Sequence, residues 1–270
     1  MVRSLSESLI SRRIEPSGGG RKPDEVVVEE PLSIRLDDVQ VSSTMRTPGH
    51  DFELAAGFLH SEGALGDAPI TGIRYCGTGA PIDSDFNVVS VETGGRAPTP
   101  TPRLGSISSS CGLCGSDAIA DLTERLRVLP AYEPWSLSEL VAFPERLRTG
   151  QALFDRTGGS HAAAAVTRDG SVVVAREDIG RHNAVDKVVG RLLLDGQLPA
   201  HDLAIVVSGR SSFEMVQKAW AAGFTALVAV SAPSSLAVSA ARRAGLTLVA
   251  FARSGSANVY SPEHLVSGSA

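Results

Sequence analysis

The hydrophobic pattern changes period several times along the chain, and each change predicts an element. Residues 1–24 are polar with no sustained apolar period and run into "SGGGRKPD", which predicts a flexible leader. From Glu25, "EVVVEEPLSIRL" and "VQVSSTMRT" are β-branched runs separated by polar turns, the pattern of strands that pair antiparallel. In "TPGHDFELAAGFLHSEGAL" the period shifts. Phe52, Ala55, Ala56 and Leu59 form a helical stripe, with Pro48 and Gly49 ahead of it and Gly63 behind. "ITGIRYC" and "FNVVSVE" return to strand character, and the stretch "TGGRAPTPTPRLG" forbids regular structure. The expected organisation is a leader over 1–24, a small N-terminal α/β domain over 25–105 and a larger α/β domain over 106–270.

In the second part, "SDAIADLTERLRVL" keeps Ile119, Leu122, Leu126 and Leu129 at helical spacing, with Ser116 as N-cap. A second helical stretch, "SLSELVAFPERLRTGQALF", precedes "HAAAAVTRDGSVVVARED", two strand runs around Asp169-Gly170, the strongest hairpin signal in the chain. The last third alternates helix and strand: "HNAVDKVVGRLLLDG", "LAIVVSG", "SSFEMVQKAWAAG", "ALVAV", "SSLAVSAARRAG", "LTLVAFA". Fully apolar strands between helices predict a sheet covered on both faces, with parallel crossovers.

Composition narrows the class. With 43% hydrophobic and 20% charged residues the chain buries real cores, and with only 5% aromatics those cores are aliphatic. The net charge of -5 gives no electrostatic reason to bind bare nucleic acid. No apolar run reaches the roughly 18 residues needed to span a bilayer, and the first residues lack the apolar stretch of a signal peptide, so a cytoplasmic address without membrane attachment is expected. Three cysteines are too few for a disulfide framework.

Two of those cysteines stand three apart in "SSSCGLCGSDAI", just before a helix start. Cys111 and Cys114 could be a redox pair, a nucleophile with a neighbour, or half of a zinc site. A free thiol with pKa near 8.5 is only a few per cent thiolate at neutral pH, and a helix N-terminus raises that fraction through its dipole and unpaired N–H groups. Structural zinc wants four ligands, and only Cys76 and scattered histidines remain. A catalytic zinc site of the deaminase type is a sharper rival: "HSE", His60 to Glu62, precedes the CxxC. Against it, Ser110 stands where that signature has proline, and His60 is expected as a solvent-facing residue of a helix in the other domain. A thioredoxin-like pair should directly follow a βαβ strand, whereas a Pro-rich linker and four serines intervene.

Two further segments suggest a ligand, and a third is a charge cluster that alone says little. "AIVVSGRSSFEMV" puts Ser208, Gly209, Arg210 and Ser211 at a strand-to-helix junction, where free amides and a guanidinium favour a phosphate. "REDIGRHNAVDK" packs Asp178, Arg181 and His182 into a second such turn. "DRTGGSHAAAAV" adds His161 behind two glycines that let a ligand approach the backbone.

Taken in order, "TPGHDFELAAGFLHSEG", "SSSCGLCG", "TGGSHAAA", "REDIGRHNAVDK", "SGRSSFEMVQKAWAAG" and "VAVSAPSSLAVSAARRAGLTLVAFAR" with "NVY" resemble the successive motifs of the FdhD family, from about Glu25 to near the end of the chain. The resemblance implies a sulfurtransferase that accepts a persulfide sulfur from a cysteine desulfurase and delivers it to the molybdenum bis(molybdopterin guanine dinucleotide) of formate dehydrogenase. It implies Cys111 as the persulfide carrier, Cys114 as an auxiliary thiol, no tightly bound zinc, and a homodimer. It also implies a second domain shaped like cytidine deaminase. The cofactor segment corresponds to "FARSGS", that is Phe251, Ala252, Arg253, Ser254, Gly255 and Ser256; many members carry a basic residue where this chain has Ser256. With Gly209, Arg210 and Ser211, and with His161, Asp178, Arg181 and His182 around them, this segment is expected to line a guanine nucleotide site. A GDP-like nucleotide is expected to mimic the cofactor there.

Overall fold

The computed structural model describes residues 4–76, 86–99, 120, 124–253, 255–262 and, in backbone only, 266–267. The segment expected as a leader is instead a hairpin: β1 (Ser6–Arg12) pairs antiparallel with β2 (Arg21–Val27), from Ser6 opposite Val27 to Arg12 opposite Arg21. Its stabilisation comes from the ladder and from its base, where Arg156 pairs with Glu25 at 3.1 Å and Val27 sits against Gly159. A ladder needs no apolar period, so the polar sequence did not announce it.

β3 (Glu30–Leu36), β4 (Val39–Arg46), β5 (Gly72–Tyr75) and β6 (Val88–Glu92) form a four-stranded sheet in the order β4-β3-β6-β5. β3 and β4 pair antiparallel as expected, while β3 and β6 run parallel. α1 (Asp51–Ser61) covers one face of this sheet. Leu54, Ala55, Phe58 and Leu59 meet Leu32, Ile34, Val89 and Val91 in one buried cluster. Each fully buried aliphatic side chain of this size contributes about 1.5–3 kcal/mol relative to exposure.

The second sheet has six strands. After β7 (Trp135–Ser136), α2 (Leu137–Arg148) and α3 (Ala152–Thr157) come β8 (His161–Thr167) and β9 (Val172–Asp178), the hairpin around Asp169-Gly170, with Gly170 at φ +83. α4 (Arg181–Leu194), β10 (Leu203–Val207), α5 (Phe213–Ala221), β11 (Ala226–Ala229), α6 (Ser235–Ala244), β12 (Thr247–Arg253) and β13 (Ser256–Ser261) follow, and β14 (Val266–Ser267) pairs with β7. The order is β13-β12-β11-β10-β8-β9. β10, β11 and β12 are parallel as expected, and β8, β9 and β13 run against their neighbours.

The apolar strands are explained by burial on both faces. Ala163, Ala165, Ile205, Val207, Leu227 and Ala229 point into a core built with α4, α5 and α6, and the alternate residues Ala162, Ala164, Ala204, Val206, Ala226 and Val228 point into a second core with Trp135, Leu140, Phe143 and Leu147. α2 opens with a capping box, Ser136 Oγ accepting the Glu139 N–H and Glu139 Oε2 accepting the Ser136 N–H. No helix among the described residues is long and apolar enough to cross a membrane.

Candidate functional site

The antiparallel turn of β8 and β9 against a parallel core has a geometric consequence. The edge at which β10, β11 and β12 end is also the edge at which β8 begins and β9 ends, since His161 stands opposite Asp178 in that ladder. In open α/β sheets the crevice beyond the carboxyl ends of the strands is where ligands bind. The loops leaving this edge are tied to one another. Ser211 N–H donates to Ala232 O at 3.1 Å, Ser234 N–H to Ser211 O at 3.0 Å, and Phe251 N–H to Ser231 O at 3.2 Å.

His161, Arg181, His182, Gly209, Arg210 and Ser211 of the expected set stand at this edge. A Cβ on the buried Gly209 would lie 3.5 Å from both Arg181 Cδ and His161 Nδ1, so the β10–α5 loop touches both side chains through bare backbone. Ser208 Oγ accepts the Ala162 N–H at 3.0 Å and stands 3.4 Å from His161 Nδ1. Arg181 is the first residue of α4, and its Nε is buried with no hydrogen-bond partner among the described residues; Ser211 Oγ is in the same position. Burial and the like charge of Arg210 push the Arg181 pKa down, only partly offset by Glu214. Burial, then Arg181 and His182, hold His161 below its ordinary 6.5. His182 is engaged by Glu214 at 2.7 Å. The edge therefore gathers two guanidinium groups and a neutral imidazole at the starts of two helices, an arrangement that wants an anion.

A cavity of about 500 Å³ opens beside this cluster, lined among others by Pro144, Phe154, Ser160, His161, Ala252 and Arg253. Its wall is fixed by Glu177, whose Oε2 accepts the Leu153 N–H at 2.7 Å and whose Oε1 accepts the Phe154 N–H at 2.8 Å and the Ser160 Oγ at 2.7 Å. Phe154 and Ser160 were not expected at a site; the glycine pair Gly158-Gly159 between them was the signal that pointed there. Next to the lining pair Ala252 and Arg253, Phe251 is exposed at a left-handed φ of 53, costly for a side-chain-bearing residue, and Gly255 stands at φ 74 just before β13, with Ser256 exposed.

Other expected residues fall elsewhere. Asp178 lies behind the turn with no exposure, its carboxylate fully engaged by protein groups. Cys111, Cys114 and Ser254 lie outside the described residues. His60, expected to face solvent, is half-buried with Nε2 3.1 Å from Ala221 O, and burial lowers its pKa. Glu62 stands 3.8 Å from Lys218 Nζ, the ammonium that Asp186 holds at 2.8 Å. His60 and Glu62 of the zinc alternative are thus engaged where α1 meets α5. No group of three metal-ligating side chains occurs among the described residues.

Comparison with known proteins bears on this geometry. The chain is 49% identical over 263 residues to the sulfur carrier protein FdhD of Streptomyces avermitilis, covering 94% of this chain and 93% of that one. It is 51% identical over 258 residues to the protein of the same name from Streptomyces coelicolor, covering 92% and 91%. The crystal structure of a formate dehydrogenase accessory protein from Desulfotalea psychrophila superposes with a TM-score of 0.77 at 28% identity, over 97% of this chain and 100% of that one. The model of the FdhD/NarQ family matches residues 27–267, nearly everything after the N-terminal hairpin, and the chain belongs to that family.

Proposed function

We propose that this protein is a cytoplasmic, homodimeric sulfurtransferase that carries sulfur from a cysteine desulfurase to the molybdenum bis(molybdopterin guanine dinucleotide) of a formate dehydrogenase. The sulfur half of the reading rests on relatives about half identical to this chain that are named sulfur carrier proteins. The cofactor half rests on one observation: a buried guanidinium nitrogen of Arg181 without an acceptor among the described residues, beside the bare backbone of Gly209. Phosphate oxygens of a guanine nucleotide fit beside that nitrogen, with Arg210 as the second guanidinium and with Ala252 and Arg253 of the "FARSGS" segment lining the adjoining cavity.

Sulfur moves without net oxidation in the first step. The Cys111 thiolate attacks the outer sulfur of the desulfurase persulfide, that S–S bond breaks, the desulfurase thiolate leaves, and Cys111 carries the persulfide. In the second step Cys114, as thiolate, attacks Cys111 Sγ. The outer sulfur takes up a proton and departs as hydrosulfide to the bound substrate, leaving a Cys111–Cys114 disulfide that a dithiol reductant of the thioredoxin class returns to two thiols before the next round. Arg181, Gly209 and the neutral His161 hold the anionic substrate still while this happens.

Incubation with a cysteine desulfurase and cysteine should add one sulfur, about 32 Da, to the wild type and none to Cys111→Ser. Sulfur loading of Cys111→Ser on Cys114 with formate dehydrogenase activity retained, or purified protein holding one tightly bound zinc per chain through the two thiols, would overturn the reading.

A further inference from the structure

The turn that presents Arg181 is gripped from behind by a residue of the other sheet. Thr47, 1% exposed, follows β4 and engages all three of its polar groups here. Its N–H donates to Asp178 Oδ2 at 3.2 Å, its Oγ1 accepts the Ile179 N–H at 3.0 Å, and its carbonyl accepts Lys187 Nζ at 3.0 Å. Asp178 gathers the remaining ties. Lys187 Nζ lies 2.7 Å from Oδ2, while Gly180 N–H at 2.8 Å and Asn183 Nδ2 at 3.0 Å donate to Oδ1. Asn183 Nδ2 also donates to Met45 O at 2.8 Å, a second link back to β4.

The consequence is geometric. The N–H groups of Ile179 and Gly180 are both held, and Asn183 packs so closely on Gly180 that a Cβ there would fall 2.9 Å from its Nδ2, so the two residues before Arg181 are tied on both sides. Arg181 then starts α4 in a direction set by Thr47 and Asp178. With its four partners, Asp178 has no capacity left to meet a ligand. We infer that Thr47 is a positioning residue: through Asp178 and Ile179, the N-terminal sheet aims the Arg181 guanidinium at the anion site. This rests on Arg181 being a nucleotide contact, as proposed above.

The full-length protein titrated with GDP by calorimetry tests it. Thr47→Val keeps shape, N–H and carbonyl but leaves the part-buried Ile179 N–H without its acceptor, and should weaken GDP binding roughly three- to tenfold. Thr47→Ser should restore it. Arg181→Ala should weaken GDP binding as well, and adding Thr47→Val to it should cost nothing further, since an aiming residue has nothing left to aim. Asn183→Ala, which cuts both the link to Met45 and the Asn183 bond to Asp178 Oδ1, loosens the same Asp178-centred grip and reads out the same way should Thr47→Val fold poorly. GDP affinity unchanged in Thr47→Val or Asn183→Ala while Arg181→Ala loses it, or an additive double variant, rejects the positioning role alone. GDP affinity unchanged in Arg181→Ala rejects the site itself.

Discussion

Gly57 of α1 and Gly190 of α4 lie face to face where the two helices cross. A Cβ on Gly57 would fall 1.9 Å from Asp186 O, and one on Gly190 would fall 1.8 Å from Glu53 O. The helices touch backbone to backbone, and the layer covering the four-stranded sheet is thereby fused to the layer covering the six-stranded one. The fusion is lined with polar ties: Arg176 grips Glu53 from β9 at 2.6 Å, and Gln217 of α5 donates to Ser61 O at 3.2 Å. The four-stranded and six-stranded sheets thus share one interior seam, and Thr47 acts across it.

Alanine at either glycine must push the helices apart, because the obstacles are backbone atoms with no rotamer to change. Gly57→Ala and Gly190→Ala should each destabilise the fold by roughly 3 kcal/mol or more, above the usual overpacking cost of about 1–3 kcal/mol. The double variant should cost little beyond the worse single one, since a helix pair already separated accommodates the second methyl. Urea unfolding followed by circular dichroism measures all three. Loss of under about 1 kcal/mol in either single variant would show that the crossing is looser than described.

These glycines also show what the sequence left legible. The second half was readable because apolar runs bounded by turn residues are a local signal: β10, β11, β12 and the Asp169-Gly170 hairpin each fall where the pattern put them. The strand-to-helix junctions at Gly209 and Arg181 were readable for the same reason. The β1–β2 ladder, the seam between sheets and the burial of Asp178 are long-range facts that no local period encodes. Within "REDIGRHNAVDK" the charges resemble a solvated face, yet Asp178, Asp186 and Lys187 are all almost fully buried, each paired with a partner distant in sequence or across the turn. The one available hint was a glycine at the middle of each of two apolar helices, where glycine costs about 1 kcal/mol against alanine and so signals a close approach.

Glu53 makes the seam sensitive to acid. Burial acts to raise its pKa, but hydrogen bonds from Arg176 and His50 and their charges outweigh it and hold the carboxyl at about 2, against an ordinary 4.5. A carboxyl more acidic in the folded state stabilises fully above its unfolded pKa and loses that contribution as pH falls through the folded one. The protein should therefore lose roughly 2–3 kcal/mol from this group between pH 4.5 and 2. Glu53→Gln should be less stable at neutral pH, leaving Arg176 without its carboxylate, and should show a flatter acid limb. Identical slopes of stability against pH over that window in the two proteins would refute the assignment.

His161 gives the anion site a pH dependence of the opposite kind. Its pKa lies below 6.5 because burial and the neighbouring Arg181 and His182 disfavour a further positive charge, so it is neutral at physiological pH. The unfolded chain takes up that proton more readily, and the free protein should lose stability as pH falls below 6.5. A bound phosphate reverses the balance, since an anion beside the imidazole favours its protonation. GDP affinity should therefore rise roughly two- to fivefold on acidification to about pH 5.5, relative to His161→Gln at the same pH. The comparison with His161→Gln matters because the nucleotide's own terminal phosphate protonates near pH 6, a change both proteins feel equally. Parallel affinity profiles in wild type and His161→Gln would place the imidazole out of contact with the bound phosphate, and would leave Arg181 and Arg210 as the groups that hold it.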